Sequence, residues 1–285
     1  MTAIDGASVL VTGAAGGIGK ALAKALAGRG CSLALVDRDE AGVRTLAQEL
    51  SSGTTAKITH TRVDIGDPEQ IAAMAQTVLA AHPNLNIVVN NAGVALVGHF
   101  HETVTSDMEW LMNINFWGVV NTTRALLPHL EKQRAAHIVN VSSIFGIIAP
   151  PGQTAYSAAK FAVRGFSEAL RHELQMRSSP VRLSVVHPGG IATNIARNAR
   201  VGAHMTDNVR RADGIDRFDA MAQTSPAEAA RVIIDGIERN RPRILIGPDA
   251  RRLDILQRLL PATYWGMVQK QIEKTIAKMG KGRPA

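Results

Sequence analysis

The sequence predicts an α/β protein, a parallel sheet with helices on both faces. Short runs rich in Val, Ile and Leu alternate with longer segments of helical period, which is the pattern of a sheet buried on both sides. No repeat or Gly/Ser linker interrupts the series. Polar residues and glycines recur just past the carboxyl ends of the runs, where ligands bind in open α/β sheets.

Taken in order, the strands are SVLVT at Ser8 to Thr12, SLALVD at Ser32 to Asp37, ITHTRVD at Ile58 to Asp64 and NIVVNN at Asn86 to Asn91. HIVNVSS at His137 to Ser143, VRLSVVH at Val181 to His187 and RILIG at Arg243 to Gly247 complete a sheet of about seven strands. Helical segments follow most of them: Gly17 to Gly28, Asp39 to Leu50, Pro68 to His82, Ser106 to Lys132, Thr154 to Gln175 and Pro226 to Arg239. The 285 residues are read as one domain over 1–248, with a lid insertion at 194–225, followed by a basic amphipathic helical extension over 249–285.

Composition narrows the function classes. Hydrophobic residues at 46% and charged residues at 20% are ordinary globular usage and exclude a disordered or collagen-like chain. Cys31 alone cannot form a disulfide framework, which fits a reducing compartment. The opening MTAIDGAS has no basic region ahead of an apolar one, so secretion is not expected and a cytoplasmic location is. The uncharged stretch from Ile138 to Ala159 is long enough to span a bilayer, but Asn140, Pro150, Pro151 and Gly152 would break a spanning helix and leave polar groups unpaired. The net charge of +8 gathers in the tail, where residues 241–285 hold 10 basic and 3 acidic side chains. None of the 9 histidines joins a Cys/His cluster of metal-ligand spacing, so no metal is expected.

Residues 12–19 read TGAAGGIG, with Gly13, Gly17 and Gly19 between the first strand and the first helix. Glycines there let backbone approach a pyrophosphate, and the helix start offers free N–H groups and a positive dipole end. Asp37, at the end of the second strand, can accept both ribose hydroxyls, while its charge would repel a 2′-phosphate. Strand, glycine loop, helix and acid together give a Rossmann-like, doubly wound arrangement holding NAD, with NADP the lesser fit. Arg38 pulls the other way, since a guanidinium can pair with a phosphate. Ile18 in the loop, Asp64 and Ile65 after the third strand belong to the same contact set; Asp64 reads either as an adenine contact or as a cap ahead of Asp67-Pro68.

Tyr156 and Lys160 lie one turn apart on a helical segment. A cation beside a phenol moves its pKa down from about 10, which makes a proton acceptor for an alcohol or, in reverse, a donor to a carbonyl. Ser143, at the end of the fifth strand, can hydrogen-bond the same substrate oxygen.

With these residues the chain resembles the short-chain dehydrogenase/reductase family of one-domain oxidoreductases. TGAAGGIG, NNAG at 90–93, Asn115 in NINFWG, Ser143 in IVNVSS, YSAAK at 156–160 and HPGGIAT at 187–193 occur in the family's order across residues 5 to about 247. The resemblance implies Tyr156 as general acid/base, Lys160 as the cation that lowers its pKa and holds the nicotinamide ribose, and Ser143 as the group that orients the substrate oxygen. It implies that Asn115 holds a water linking Lys160 to solvent, and that Asn91, Ala92 and Gly93 support the adenine ribose and the central strand. Pro188, Gly189, Ile191 and Thr193 are then expected along the nicotinamide, with His187 a core or strand-end residue. Dimers or tetramers formed through the Ser106–Lys132 and Thr154–Gln175 segments are expected on the same ground.

Residues 194–225 form a long polar insertion that mixes Met205, Phe218 and Met221 with glycines at 202 and 214, a pattern that suits a lid over the substrate. Val94, Leu96, Ile144, Phe145, Ile147 and Ile148 are candidates for a greasy wall stiffened by Pro150 and Pro151; Val94, Ser143, Phe145 and Tyr156 are the expected substrate contacts. In the extension, Leu253, Leu256, Leu259 and Leu260 make one apolar stripe ending at Pro261, and Trp265, Val268, Ile272, Ile276 and Met279 make a second, opposed by lysines at 270, 274, 278 and 281. The stripes read either as packing faces or as a peripheral membrane contact. The expected function is NAD(P)-dependent interconversion of a hydrophobic secondary alcohol and its carbonyl. A cofactor-sensing protein without turnover is the alternative, argued against by the intact Ser143, Tyr156 and Lys160. No nucleic-acid motif or aromatic-lined basic face accompanies the basic tail, so nucleic acid is not an expected partner.

Overall fold

A computed structural model describes residues 2–207, 214, 216, 218 and 222–271. Seven strands, β1 (Ser8–Thr12), β2 (Ser32–Asp37), β3 (Ile58–Arg62), β4 (Ile87–Asn90), β6 (Ala136–Val141), β7 (Val181–Pro188) and β9 (Arg243–Ile246), form one sheet in the order β3-β2-β1-β4-β6-β7-β9. Every pairing in it is parallel. The chain winds outward from β1 in one direction and returns to β4 to wind in the other, so the crevice at the carboxyl ends of β1 and β4 is the switch point of a doubly wound sheet.

Alternation along the strands sends side chains into two cores. Val9 and Val11 join Leu22 and Leu26 of α1 (Gly17–Ala27), Val43 and Leu46 of α2 (Glu40–Ser51) and Ile233 and Ile237 of α7 (Pro226–Glu238). Leu10 and Ile138 join Ile71 and Met74 of α3 (Pro68–Ala81), Leu126 and Leu130 of α5 (Gly118–Leu130) and Leu174 of α6 (Thr154–Met176) on the other face. Strands β1, β4 and β6 are buried along their whole length, which explains why they read as continuous apolar runs.

Helix starts follow their capping residues. Asp39 accepts from the Gly42 amide ahead of α2, Asp67 from Glu69 and Gln70 ahead of α3, and Ser225 from Glu228 ahead of α7. At α1 the N-cap is Gly16 and no side chain caps the first turn.

The expected helix from Ser106 to Lys132 is corrected to three pieces: α4 (Thr105–Met112), a π-helical turn (Asn113–Trp117) and α5. A wider turn of this kind admits an extra residue without breaking the axis. Here it carries Asn115, whose amide is drawn out of the helix onto Val94, and it precedes Gly118, where a Cβ would overlap the Ile65 side chain. Local period cannot show this, because the cause lies in tertiary contacts.

Two further strands lie outside the main sheet. β5 (Leu96–Val97) and β8 (Arg200–Val201) pair in parallel, so the segment after β7 is stitched to the region before α4. Arg200 stacks on the Trp110 ring at 3.6 Å and pairs with Asp107 at 3.6 Å, and Asp107 also accepts from the Ala203 amide. The expected lid thus begins as an anchored strap; Met221 and part of the segment before it fall outside the described residues.

The described residues end with α8 (Pro248–Leu259), a turn at Pro261 and a helical stretch over 264–271. Leu253 and Tyr264 pack with Ala250, Ile144, Ile147 and Ile148, and Tyr264 accepts a hydrogen bond from the Ala149 amide at 2.9 Å. Asp254, 5% exposed, is bracketed by Arg243 at 2.8 Å and Arg258 at 3.1 Å. Ile272, Ile276, Met279 and the lysines at 274, 278 and 281 lie outside the described residues. Among the described residues no helix is long and apolar enough to cross a membrane.

Candidate active site

The site is built at the carboxyl ends of β1, β4, β6 and β7. In the loop after β1, Gly13 has φ +67°, and a Cβ there would lie 2.8 Å from the Ala92 Cα. A Cβ on Gly19 would overlap the Gly13 carbonyl. One on Gly17, with φ +53°, would sit 3.2 Å from the Thr193 methyl carbon. The glycines thus allow three close approaches: the loop to β4, the helix to the loop, and the segment after β7 to the helix start. Asn91 fastens the arrangement by donating to the carbonyls of Thr12 and Gly13 at 3.0 and 3.2 Å, while the Thr12 hydroxyl accepts from the amides of Asn91 and Ala92.

Asp37 turns its carboxylate into the same loop. Its two oxygens accept from the amides of Ala15 at 2.9 Å and Asp39 at 3.0 Å, and Arg38 beside it is exposed. A glycine cradle, a helix start with no side-chain cap and a strand-end carboxylate fit a dinucleotide, pyrophosphate at the helix and ribose at the acid. Ile18 borders this loop, packed against the core below it, and Ile65 is buried beneath Gly118. Asp64 lies two residues beyond β3, exposed, and accepts from the Gly66 amide at 2.8 Å; the cap of α3 is Asp67.

Ser143 follows β6, Tyr156 and Lys160 stand on α6, and the three meet. The Ser143 hydroxyl faces the phenol, favouring its ionised form, and accepts from the Phe145 amide at 3.1 Å. Lys160 Nζ lies 5.6 Å from the Tyr156 ring centre and donates to the Val141 carbonyl at 3.1 Å. Phe145 meets the Tyr156 ring edge-on at 6.1 Å. Burial dominates the electrostatics. It raises the phenol to about 12, with the Ser143 bond pulling the other way, and lowers Lys160, 4% exposed, to about 8. In the protein alone burial, not Lys160, sets the direction of the phenol's shift, because desolvation penalises the charged form of each group.

Asn115 is fully buried, and its amide clamps both backbone groups of Val94, accepting from the amide at 2.8 Å and donating to the carbonyl at 2.9 Å. A Cβ on Gly93 would lie 3.2 Å from Asn115 Oδ1 and 3.5 Å from Lys160 Nζ, so Gly93 separates the two. His187 is buried and donates through Nδ1 to the Ser143 carbonyl at 2.9 Å. Burial lowers its pKa to about 4, and Nε2 has no partner among the described residues.

Val94 and Phe145 stand beside these groups, whereas Ile144, Ile147 and Ile148 are corrected from wall to core, since they turn toward α8 and Tyr264. Pro150 and Pro151 border a cavity of about 490 Å³ shared with Ser157, Phe161 and Trp265.

Three sets of contacts that support the site have partners the sequence does not reveal. Ser142 donates to the Lys160 carbonyl at 2.8 Å. Buried Asn90 and Asn140 bond each other at 2.8 Å and continue to Thr123 and Ser167, tying β4 and β6 to α5 and α6. Asp249 accepts from the Gly190 amide at 2.7 Å. The doubled serine at 142–143 was a usable signal; Asp249, after Pro248, reads only as a helix-starting acid.

Comparison with known proteins agrees with this geometry. The profile of the family described as short chain dehydrogenase matches residues 7–203. The chain is 40% identical over 274 residues to a Mycobacterium tuberculosis protein named "Putative oxidoreductase SadH", covering 96% of this chain and 98% of that one. It is 31% identical to dehydrogenase/reductase SDR family member 7B of Mus musculus, covering 94% and 82%. A crystal structure of a short chain dehydrogenase/reductase from Burkholderia phymatum in complex with NAD superposes with a TM-score of 0.84 at 28% identity, covering 91% of this chain and 95% of that one.

Proposed function

The chain belongs to the short-chain dehydrogenase family, and from that premise we propose that it is an NAD-dependent oxidoreductase that interconverts a hydrophobic secondary alcohol and its carbonyl. The observation that carries this reading is the meeting of Ser143, Tyr156 and Lys160 beside a glycine cradle. Bound NAD would supply a hydride acceptor with a positively charged ring, held by the glycine loop and Asp37. Tyr156 Oη takes the alcohol proton, Ser143 Oγ orients the substrate oxygen, and Lys160 holds the nicotinamide ribose and favours the ionised phenol. Asn115, whose side chain is bonded to both backbone groups of Val94, would hold the water that links Lys160 to solvent. Asp37 supports NAD over NADP, because a 2′-phosphate would lie against a carboxylate already fixed by two amides.

The reading is tested by following NAD reduction over secondary alcohols of graded chain length. Turnover that grows with apolar length supports it; no turnover with any alcohol, and none with the matching ketones and NADH, rejects it.

The same reading includes a homodimer or homotetramer through the Ser106–Lys132 and Thr154–Gln175 segments, supported by exposed Trp117 and Phe161. It also includes a peripheral membrane contact, supported by exposed Ile255, Leu259 and Met267 near Arg251, Arg252 and Arg258. Light scattering tests the first. For the second, sedimentation of the full chain with anionic liposomes should be lost as salt rises.

A further inference from the structure

The turn after β7 is held from behind by a side chain of α8. Asp249 accepts from the Gly190 amide at 2.7 Å, and a Cβ on Gly189 would overlap both of its carboxylate oxygens. The carboxylate also crowds Gly247, whose φ of +94° turns β9 into the helix. On its other side the turn is held by backbone. The Gly189 amide donates to the Ile246 carbonyl at 2.9 Å, the Ala192 amide donates to the Thr224 carbonyl at 2.9 Å, and Ile191 bridges to Thr224. The place of Asp249 in the first turn of α8 suits a negative charge. Downstream the segment delivers Thr193 to the start of α1.

We propose that Asp249 is a positioning residue for the cofactor: its carboxylate fixes the backbone at 189–190, and through it the path that brings Ile191 and Thr193 to the phosphate loop. Gly189 is a glycine because the Asp249 carboxylate fills the space a side chain would need, rather than because a ligand approaches there. The inference rests on the nicotinamide-cofactor reading above, and the experiment separates the two.

The full chain, Asp249→Ala, Asp249→Asn, Gly189→Ala and the Gly189→Ala/Asp249→Ala pair are titrated with NAD by calorimetry, with alcohol KM at saturating NAD and thermal melts alongside. Loss of a hydrogen bond to a charged acceptor should weaken NAD about tenfold in Asp249→Ala. Asp249→Asn keeps an acceptor of the same shape but not its charge, and should lose about threefold. Gly189→Ala should weaken NAD in the wild-type background and add little in the Asp249→Ala background, with alcohol KM unchanged throughout. Wild-type affinity in Asp249→Ala, or an equal loss from Gly189→Ala in both backgrounds, overturns the assignment. If Asp249→Ala does not fold, wild-type affinity in Asp249→Asn overturns it. Absence of NAD and NADP binding by the wild type instead overturns the cofactor reading, and this inference with it.

Discussion

The Ser142 hydroxyl donates to the backbone carbonyl of Lys160 at 2.8 Å, so the end of β6 and the middle of α6 are fastened together next to Ser143 and Tyr156. Gly146 packs into this joint, where a Cβ would overlap Ser142 Oγ and lie 2.7 Å from the Lys160 carbonyl oxygen. Ser142→Ala should therefore lower turnover by about tenfold, the effect of losing one buried hydrogen bond of roughly 1–3 kcal/mol, while NAD affinity changes less. Steady-state kinetics with a cofactor titration check this; wild-type turnover would show that the joint is not needed for alignment.

Tyr156→Phe keeps the ring that meets Phe145 but removes the proton-carrying oxygen. Turnover should fall by at least about 10²–10⁴-fold with NAD binding retained. Near wild-type turnover would remove Tyr156 from the mechanism.

Asp37→Ser removes the carboxylate that binds the Ala15 and Asp39 amides and leaves Arg38 in place. NAD should weaken and NADP improve in parallel titrations. Tighter NADP binding by the wild type would reverse the cofactor assignment.

His137 and His187 should drive acid sensitivity. Burial lowers both to about 4, against about 6.5 for a free imidazole. Between those values the unfolded chain holds protons that the folded chain does not, so their contribution to stability is present above about pH 6.5 and is lost as pH falls toward 4. Melting temperatures over pH 4–7 should show the decline, and an imidazole NMR titration should show neither ring protonating above about pH 5. Protonation of either near pH 6.5 in the folded protein contradicts the buried neutral state.

Truncation after Pro248 should destabilise the protein even where no membrane is present. It removes the partner of Gly190, both ion pairs of Asp254, and the Leu253 and Tyr264 cover over Ile144, Ile147 and Ile148. A lower melting temperature and aggregation are expected; an unchanged melt would mean that α8 adds nothing to the fold.

What the sequence discloses and what it withholds divide along physical lines. The seven sheet strands are legible because a parallel sheet buried on both faces writes unbroken apolar runs, as in Val9 to Val11 and Ile87 to Val89. Residues of the site are legible where chemistry demands a residue type at a fixed spacing, as with Tyr156 and Lys160. The π turn at Asn113–Trp117, the β5 and β8 pair and the Asp249 contact are not, since each depends on partners distant in sequence and none has a local period. The direction of the Tyr156 shift is hidden for a related reason: spacing reveals a neighbouring cation but not how the fold desolvates the phenol.

The contact between Asp249 and Gly190 also sets an order of events during synthesis. A chain leaving the ribosome presents the glycine loop, Ser143, Tyr156 and Lys160 well before residue 249 emerges, so these residues are made while the turn at 189–190 still lacks its Asp249 contact. A nascent chain arrested before α8 carries all of its reacting side chains without the last fixed point of the turn. Premature termination before residue 249 therefore leaves a product that keeps Ser143, Tyr156 and Lys160 but lacks the side-chain contact to the Gly190 amide.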